Sequence, residues 1–512
     1  MSEKILVRGV NWIGDAVMTM PALRALKKAY SESHLALLVK PSVSPLFETD
    51  PFVDEVILYE DRFKGLMGKI KLARILRKKG FSKAVLFQNA FDAALTAFFA
   101  RIPERIGYDR DGRGLLLTRP IPFHREDRKL HHIEYYLDLL KRAGIEAEYS
   151  HPWIYLSLDE RLAARERLSG MKRPILGINP SATYGSSKRW LPERFGEVAS
   201  WFMKDTGGSV VIFGGKDATG IAEEIDHFVR KEQIPSSPNT IGKDPPLLNL
   251  AGTTSLRELV SFISECDVFV SNDSGPMHIA YAVGTPLVAI FGSTAPELTG
   301  PVGAGHRVIK HDFGCSPCFE RTCAKGDMRC MYAITADDVY IAVKKLLPDK
   351  KAVFLDRDGT LCEDADYLKN WDKFNILPGV EELGSLKEKG FKLFGVSNQS
   401  GIARGVVDET FVKEVNKVFV ERYGFDGFYY CPHHPDEHCS CRKPEPGMVL
   451  EARNRQGIDL KRSYVIGDKE VDMALARAVG SRGILVRTGQ DRESRYADFV
   501  VGSLVEAIRL VK

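Results

Sequence analysis

The 512-residue sequence has no apolar run that approaches the roughly 20 residues of a membrane-spanning helix. It also lacks a large excess of one charge, since its formal net charge of +4 disfavours a dedicated nucleic-acid-binding protein. The first residues, MSEKILVRGV, contain neither the apolar core nor the cleavage site of a signal peptide. Low-complexity segments and short repeats are absent as well. We therefore expect a cytoplasmic globular protein of several domains without a transmembrane segment.

Cysteine is sparse and unevenly placed. Cys266 and Cys362 stand alone. The others form two groups: Cys315, Cys318, Cys323 and Cys330, and then Cys431, Cys439 and Cys441. Grouped cysteines in a cytosolic protein indicate metal ligands before disulfides. For the first group, a structural zinc site and free thiols are equally open interpretations.

Short runs rich in Val, Ile and Leu alternate with amphipathic segments of helix length, which predicts parallel sheets covered by helices. Eight strands are predicted before the polar break at 346–352: 4–9, 35–39, 54–59, 83–88, 174–179, 209–215, 267–272 and 286–292. Five follow it, one from Val353 and the others at 391–397, 427–431, 463–467 and 482–487. We predict an α/β fold with two Rossmann-like lobes, 1–172 and 173–348, that face a cleft, and a third α/β domain, 351–512. Such sheets bind ligands at the carboxyl ends of their strands.

Asp356 ends the apolar segment VFLD, and Asp358 lies two residues later in the segment RDGT. Residues two apart on a strand share a face, so these carboxylates repel each other unless a cation neutralises them. Mg²⁺ suits such oxygen ligands. Other polar residues follow later strands and are expected at the same sheet edge: Ser397, Lys443, Asp468 and Asp472.

The segment CPHHPDEHCSCRKP supplies a second metal-ligand set. Three thiols and an imidazole on this short loop form a closed tetrahedral set for Zn²⁺: Cys431, His433, Cys439 and Cys441. His434 and His438 are alternative ligands.

The C-terminal motifs resemble the haloacid-dehalogenase superfamily over about 353–489. The resemblance implies that Asp356 is a nucleophile that takes up a phosphoryl group, and that Asp358 protonates the leaving group and then activates water. It implies that Ser397 and Lys443 hold the phosphoryl oxygens. Mg²⁺ would be bound by Asp356, the carbonyl of Asp358 and Asp468.

Within that superfamily, DRDGT, SNQSGIARG, the zinc loop, CRKPEPGM and GDKEVDM resemble the D-glycero-D-manno-heptose 1,7-bisphosphate 7-phosphatases. Histidinol-phosphate phosphatases share much of this pattern and are the alternative. The heptose resemblance implies that the substrate contacts Asp364, Tyr367, Asn398, Arg442 and Lys469.

The N-terminal half has three polar segments that follow predicted strands. RGVNWIGDAV carries Asp15 near the start of a predicted helix, where an aspartate is often only a helix cap. NPSATYGSSKRW carries Thr183 and Lys188, and SNDSGPMHIAYAVGTP opens a helix near Gly275. A helix N-terminus and a lysine together favour an anionic ligand such as phosphate.

These segments resemble the lipopolysaccharide heptosyltransferases, in particular heptosyltransferase II, through nearly all of 1–348. The resemblance implies a GT-B arrangement of two lobes, ADP-heptose as donor, a lipopolysaccharide inner-core acceptor at the membrane surface, and no metal. Asp15 would then be the base that deprotonates the acceptor. The donor would contact Thr183, Lys188, Asp273, Ser274, Gly275 and His278, with Asp217 near the ribose.

Together the two halves predict a bifunctional enzyme, a glycosyltransferase joined to a phosphatase, with Mg²⁺ and Zn²⁺ as cofactors. Another nucleotide-sugar transferase joined to a histidinol-type phosphatase, or a scaffold with inactive enzyme folds, are the alternatives. The basic stretch from Lys64 to Lys79 has helical spacing of its apolar residues. It is interpreted either as a solvated helix flank or as a contact with an anionic membrane surface or acceptor.

Overall fold

The computed structural model describes residues 3–232 and 247–512. The chain divides into two compact units, Met1–Lys345 and Leu346–Lys512. Among the described residues, none of the helices has both the length and the apolar character needed to cross a bilayer.

The first lobe of unit 1 is built on a six-stranded parallel sheet. Its strands are β1 (Lys4–Arg8), β2 (His34–Val39), β3 (Glu55–Leu58), β4 (Lys83–Leu86), β5 (Glu104–Asp109) and β6 (Arg119–Pro122), in the order β3-β2-β1-β4-β5-β6. Its helices are α1 (Ile13–Ala29), α2 (Gly65–Lys79), α3 (Phe91–Phe99) and α4 (His132–Arg142). Helix α5 (Leu158–Arg167) follows in the chain and packs on the second lobe, where Arg165 pairs with Glu265 and Glu160 with Arg257. The strand order is that of a Rossmann fold, with the first strand at the centre.

The second lobe repeats this order. Its strands are β7 (Ile175–Asn179), β8 (Ser209–Ile212), β9 (Leu247–Asn249), β10 (Val268–Asn272), β11 (Leu287–Ile290) and β12 (His306–Ile309), arranged β12-β11-β10-β7-β8-β9. Its helices are α6 (Pro192–Thr206), α7 (Thr219–Glu232), α8 (Leu256–Glu265), α9 (Gly275–Ala282), α10 (Pro296–Thr299), α11 (Arg329–Tyr332) and α12 (Ala336–Leu346).

Unit 2 has the same topology for a third time. Its strands are β13 (Lys351–Leu355), β14 (Phe391–Asn398), β15 (Gly427–Cys431), β16 (Tyr464–Gly467), β17 (Arg482–Val486) and β18 (Phe499–Val501), arranged β15-β14-β13-β16-β17-β18. Its helices are α13 (Gly384–Glu388), α14 (Glu409–Tyr423), α15 (Gly447–Gln456), α16 (Glu470–Val479) and α17 (Leu504–Leu510). The predicted α/β fold is confirmed, and each of the thirteen predicted strands overlaps an observed one.

The two lobes of unit 1 meet where helix α1 crosses helix α9. A Cβ atom on Gly14 would lie 2.6 Å from Cδ2 of His278, and one on Gly275 would lie 3.0 Å from Cβ of Ile13. Because both positions are glycine, the two helix N-termini approach closely. This crossing places the residues after β1 opposite the residues after β10.

His151 joins the lobes away from that crossing. Its Nε2 donates a hydrogen bond to the carbonyl oxygen of Tyr281 over 3.1 Å, and its ring packs edge-on against the Tyr281 ring. Burial lowers the pKa of His151 to about 4, because the charged imidazolium is poorly solvated there.

This burial predicts acid sensitivity. The pKa of His151 is lower in the folded protein than the ordinary 6.5, so its stabilising effect is complete above about pH 6.5 and is lost as the pH falls towards 4. His151→Gln keeps a hydrogen-bond donor but does not titrate. As the pH is lowered from 6.5 to 4, we expect the melting temperature of wild type to fall further than that of the variant. The exposed His227→Gln is the control, and parallel melting curves for wild type and His151→Gln across this range would contradict the assignment.

Candidate functional sites

Three carboxylates of unit 2 meet where the strand order of its sheet reverses. Asp356 follows β13, and Asp468 follows the neighbouring strand β16. Asp472 lies in the first turn of helix α16. Each residue offers one carboxylate oxygen, and these three oxygens lie within 4.8 Å of one another. The parallel topology thus brings together side chains that are more than a hundred residues apart in the sequence.

Lys443 is the cation of this site. Its buried ammonium group lies 2.8 Å from Oδ1 of Asp356 and 2.6 Å from Oδ1 of Asp472, and it donates a hydrogen bond to the carbonyl oxygen of Val396. Burial by itself lowers the pKa of Lys443, but the charges of Asp356 and Asp472 outweigh it and raise the pKa well above its ordinary value. Lys443 is therefore held as a buried cation.

One lysine does not neutralise three buried carboxylates. Burial, with the charge of Asp356, raises the pKa of Asp468 to about 7, and burial raises the pKa of Asp472 to about 6. Oδ1 of Asp468 is buried and has no hydrogen-bond partner in the described part of the chain. A Cβ atom on Gly359 or on Gly489 would overlap the Asp468 carboxylate, so glycine keeps this space open. Oxygen ligands, unbalanced negative charge and an unpartnered carboxylate oxygen together suit a small hard cation.

Asp358 points to a different set of partners. Arg357 contacts both of its oxygens over 3.0–3.1 Å, and Nε2 of Gln399 donates to Oδ2 over 2.7 Å. The same Gln399 amide nitrogen is 2.7 Å from Oγ of Ser397. Arg357 and Gln399 were not singled out in the sequence, although both lie within the motifs DRDGT and SNQSG. They fix Asp358 and Ser397 at the sheet edge.

Some of the residues predicted to contact the substrate pair with other residues of the protein, and others are exposed or keep a polar atom without a partner in the described residues. The side-chain amide of Asn398 binds the main chain of Lys443 in both directions, over 3.0 and 3.2 Å, so it positions that lysine. Asp364 is paired with Lys469 over 3.2 Å. Tyr367 is half-exposed with φ of +69°, and Nη1 of Arg442 is buried without a hydrogen-bond partner within the described residues. Arg442 therefore keeps a donor for an anionic ligand.

The four predicted zinc ligands come together. Sγ of Cys431 lies 3.3 Å from Sγ of Cys439 and 3.5 Å from Nδ1 of His433, and Sγ of Cys441 lies 3.4 and 3.2 Å from the same two atoms. These separations are close to the edges of a tetrahedron with zinc–sulfur bonds of about 2.3 Å. Hydrogen bonding among these thiols lowers the pKa of Cys439 and raises the pKa of Cys441, so without metal the group favours the thiolate at Cys439.

His434 and His438, the alternative ligands, are not members of this group. Nδ1 of His434 instead accepts the N–H of Asp436 and caps the short helical turn that follows.

The zinc-ligand loop is attached directly to the carboxylate site. The carbonyl oxygen of Cys431 accepts the N–H of Gln399 over 2.8 Å. Cys441 is followed at once by Arg442 and Lys443. The loop therefore binds Gln399, which contacts Asp358, and leads directly into Lys443, which contacts Asp356 and Asp472.

In unit 1, Asp15 lies in the first turn of helix α1 at the lobe crossing. Its Oδ1 is 3.5 Å from Nδ1 of His132, the first residue of helix α4, and both side chains are about a third exposed. The sequence motifs give no signal for His132, because it is 117 residues from Asp15 and lies outside the three polar segments that follow predicted strands. The buried His278 ring lies against Gly14, next to Asp15, and burial lowers the pKa of His278 to about 4. His278 therefore acts as a neutral imidazole.

Across the crossing, Lys188 and Asp273 form a close ion pair of 2.6 Å. The hydroxyl of Thr294 donates to the same Asp273 oxygen over 2.6 Å. Gly275 begins helix α9 two residues after Asp273, so the N-terminus of this helix lies close to the pair in the chain. The site thus combines a lysine, a helix N-terminus and a partly exposed carboxylate, which suits a diphosphate and a hydroxyl group.

The other predicted donor contacts lie at or after the ends of strands of the second lobe. Ser274 Oγ accepts from Asn179, which joins the ends of strands β7 and β10. Thr183 and Asp217 are exposed and project from the loops after β7 and β8.

The first cysteine group packs on the loop that carries Lys188. Tyr184 donates from its hydroxyl to the carbonyl oxygen of Phe319, and the N–H of Ser187 binds the carbonyl oxygen of Arg321. Cys315, Cys318, Cys323 and Cys330 are free thiols, and no three of them bring their sulfur atoms within 4.8 Å of one another in the described chain. Their segment supports the loop with Lys188.

Comparison with known proteins agrees with the division of the chain into two units. Residues 69–329 match glycosyltransferase family 9 (heptosyltransferase), and residues 440–507 match a HAD-hydrolase-like family. The chain is 31% identical to lipopolysaccharide heptosyltransferase 2 of Escherichia coli strain K12, over 68% of this chain and 100% of that protein. It is 42% identical to D-glycero-beta-D-manno-heptose-1,7-bisphosphate 7-phosphatase of Yersinia pestis, over 31% of this chain and 95% of that protein.

A solved structure supports the fold of unit 1. The structure of E. coli ADP-heptose lps heptosyltransferase II aligns with a TM-score of 0.58 and 28% identity, and the alignment covers 67% of this chain and 98% of that chain. The chain is therefore a fusion that belongs to glycosyltransferase family 9, the heptosyltransferases, through its first two thirds and to the HAD-like heptose bisphosphate phosphatases through its last third.

Proposed function

We propose that this bifunctional enzyme catalyses two reactions of lipopolysaccharide heptose metabolism. Unit 1 transfers heptose from ADP-heptose to a lipopolysaccharide inner-core acceptor, and unit 2 hydrolyses the 7-phosphate of D-glycero-D-manno-heptose 1,7-bisphosphate. The observation that carries this proposal is that each unit has its own polar site at the carboxyl edge of its sheets and matches a relative over 95% or more of that relative's length. All nine cysteines are free, which supports a reducing, cytoplasmic location.

In the phosphatase reaction, a carboxylate oxygen of Asp356 attacks the phosphorus atom, and the bond from phosphorus to the sugar oxygen breaks. Asp358 gives its proton to that leaving oxygen. Water then attacks the aspartyl phosphate while Asp358 takes a proton from it, which releases phosphate and regenerates Asp356. Lys443 and Ser397 stabilise the phosphoryl oxygens. The contacts with Arg357 and Gln399 orient the Asp358 carboxyl group and favour its charged form, which is the form that takes a proton from water.

The carboxylate site fits Mg²⁺, held by Asp356, Asp468 and the carbonyl of Asp358. Bound there, Mg²⁺ supplies positive charge that offsets the charge of the phosphoryl group. The unpartnered oxygen of Asp468 and the space kept by Gly359 and Gly489 support this assignment. Asp472 is instead the partner that orients Lys443.

The zinc-ligand group is proposed to be structural. Four protein ligands fill a tetrahedral shell and leave no position for water or substrate. The metal would hold the loop so that Gln399, Arg442 and Lys443 stay aligned at the phosphate site.

In the transfer reaction, Asp15 takes the proton of the acceptor hydroxyl, the acceptor oxygen bonds to the anomeric carbon of the heptose, and the bond to ADP breaks. Negative charge develops on the diphosphate, which Lys188 and the N-terminus of helix α9 stabilise. His278 and Asp273 bind the donor sugar. His132 positions the Asp15 carboxylate.

Asp356→Asn tests the phosphatase assignment. The amide keeps the size of the side chain but is not a nucleophile, so release of phosphate from heptose 1,7-bisphosphate should fall by more than about 10³-fold. Heptose transfer by the same protein should be unchanged. Asp372→Asn, at an exposed aspartate of the same unit, is the matched control. Near-normal phosphate release by Asp356→Asn would rule out the mechanism.

Asp15→Asn tests the transferase assignment. Loss of a general base should lower transfer turnover by about 10²–10⁴-fold, while binding of ADP-heptose, measured by calorimetry, is retained. Asp159→Asn removes a carboxylate from the equivalent first turn of helix α5 and is the control for helix stability. If Asp15→Asn shifts only the melting temperature, as a helix cap would, Asp15 is not the base.

Cys439→Ser tests the zinc site. Wild-type protein should contain about one zinc ion at this loop, and the variant should lose it together with most of its phosphatase turnover, because the loop carries Lys443. His438→Asn is the control, since His438 lies outside the ligand group and asparagine tolerates its φ of +43°. Elemental analysis of both variants makes the comparison, and retention of zinc in Cys439→Ser would refute the ligand set.

A further inference from the structure

Helix α2 lies in a strongly basic stretch of unit 1. Residues 62–91 contain nine lysines and arginines and no aspartate or glutamate. The whole chain of 512 residues has a formal net charge of only +4, so this stretch carries more positive charge than the chain has in excess. The proposed reactions use none of these nine side chains.

One face of helix α2 is buried and the opposite face is cationic. Gly68, Leu72, Ala73 and Leu76 form the buried face. Met67, Lys71, Arg74 and Lys78 follow one another at helical spacings of four, three and four residues, so they form one stripe on the opposite face. All four are exposed.

The charges of this stripe are not neutralised within the described protein. Cations beside it have partners, as in the ion pairs of Lys69 with Asp92 and Lys64 with Asp61. Lys71, Arg74 and Lys78 make no ion pair within residues 3–232 and 247–512. Three exposed cations in a row are thus available to an anionic partner.

Large apolar side chains are exposed beside this helix. Leu66 is 60% exposed and Met67 is 78% exposed at the start of α2, in the connection that follows strand β3. Trp12 (54%) follows β1, and Phe91 (46%) follows β4. These strands are parallel members of one sheet, so all three connections lie at its carboxyl edge. Asp15 lies at the same edge, three residues after Trp12.

We propose that helix α2 and the connections bearing Trp12, Leu66 and Phe91 form a docking surface for an anionic lipid bilayer. Lys71, Arg74 and Lys78 pair with lipid phosphates, and the apolar side chains enter the headgroup region. The charge of the stripe selects this partner, and tryptophan favours the boundary between water and lipid. As far as it concerns the acceptor, the inference rests on the proposed function, since docking at this edge brings Asp15 to an acceptor anchored in the membrane.

Vesicle co-sedimentation of the full-length protein tests the proposal. Vesicles of phosphatidylcholine alone are compared with vesicles that also contain phosphatidylglycerol, and neither contains lipopolysaccharide or ADP-heptose. We expect binding to the anionic vesicles only, weakened by salt. The triple variant Lys71→Gln/Arg74→Gln/Lys78→Gln should bind on the order of a hundredfold more weakly, because each cation near an anionic surface strengthens binding about fivefold. Leu66→Ser/Met67→Ser should weaken binding even at high salt.

Lys204→Gln/Lys344→Gln/Lys345→Gln removes the same charge from exposed positions on helices α6 and α12 and should bind like wild type. Equal loss in this control, absence of wild-type binding, or a dimer in solution that only the stripe variant abolishes would each overturn the proposal. The assay requires no heptose transfer, so its outcome is independent of the transferase assignment. Conversely, Asp15→Asn should bind vesicles normally, which separates failure of docking from failure of the proposed reaction.

Discussion

Parallel strands require every connection to cross back over a face of the sheet, and this requirement places the chemistry of the protein. In each of the three sheets the first strand lies at the centre, where the strand order reverses. The connection after that strand and the connection after the fourth strand then leave on opposite faces and open a crevice between them. Asp15 follows β1, Asn179 ends β7, and Asp356 follows β13. One topological rule thus generates both sites, and each contains a close lysine–aspartate pair, Lys188–Asp273 in unit 1 and Lys443–Asp356 in unit 2.

Electrostatics then decide what each crevice binds. In unit 2, one buried lysine faces three buried carboxylates, and the pKa of Asp468 is raised to about 7 because this carboxyl group is buried beside the negative charge of Asp356. A divalent cation held by Asp356 and Asp468 would offset this negative charge. In unit 1, the charge of Asp273 is paired with that of Lys188 over 2.6 Å, and we propose that Lys188 and the N-terminus of α9 bind the anionic part of the donor. The same topology therefore carries two sites that differ in the balance of their buried charges.

The sequence predicts these folds because buried parallel strands appear as continuous apolar runs. The strands it does not reveal are edge strands or their neighbours, such as the three-residue β9 and β18 and the polar β6 with two prolines. Site residues that follow central strands, such as Asp356, Asp468 and Asp273, can be predicted too, because the apolar run before each of them marks a strand. His132 is not visible, since its contact with Asp15 arises only from the packing of α4 on α1. Asn398 is visible but its contact is not, because the sequence cannot show that its amide faces the main chain of Lys443.

The proposed reactions are not consecutive, which bears on why one chain contains both. Removing the 7-phosphate leaves a sugar 1-phosphate, and a nucleotidyl group must still be added before a transferase can use it. Direct transfer of the product between the two sites would therefore gain nothing. A single chain instead fixes the two activities in a one-to-one ratio. If the basic face of α2 holds unit 1 at a lipid surface, the covalent link also keeps unit 2 within a short distance of that surface, so the early and late steps of heptose use are concentrated in the same place.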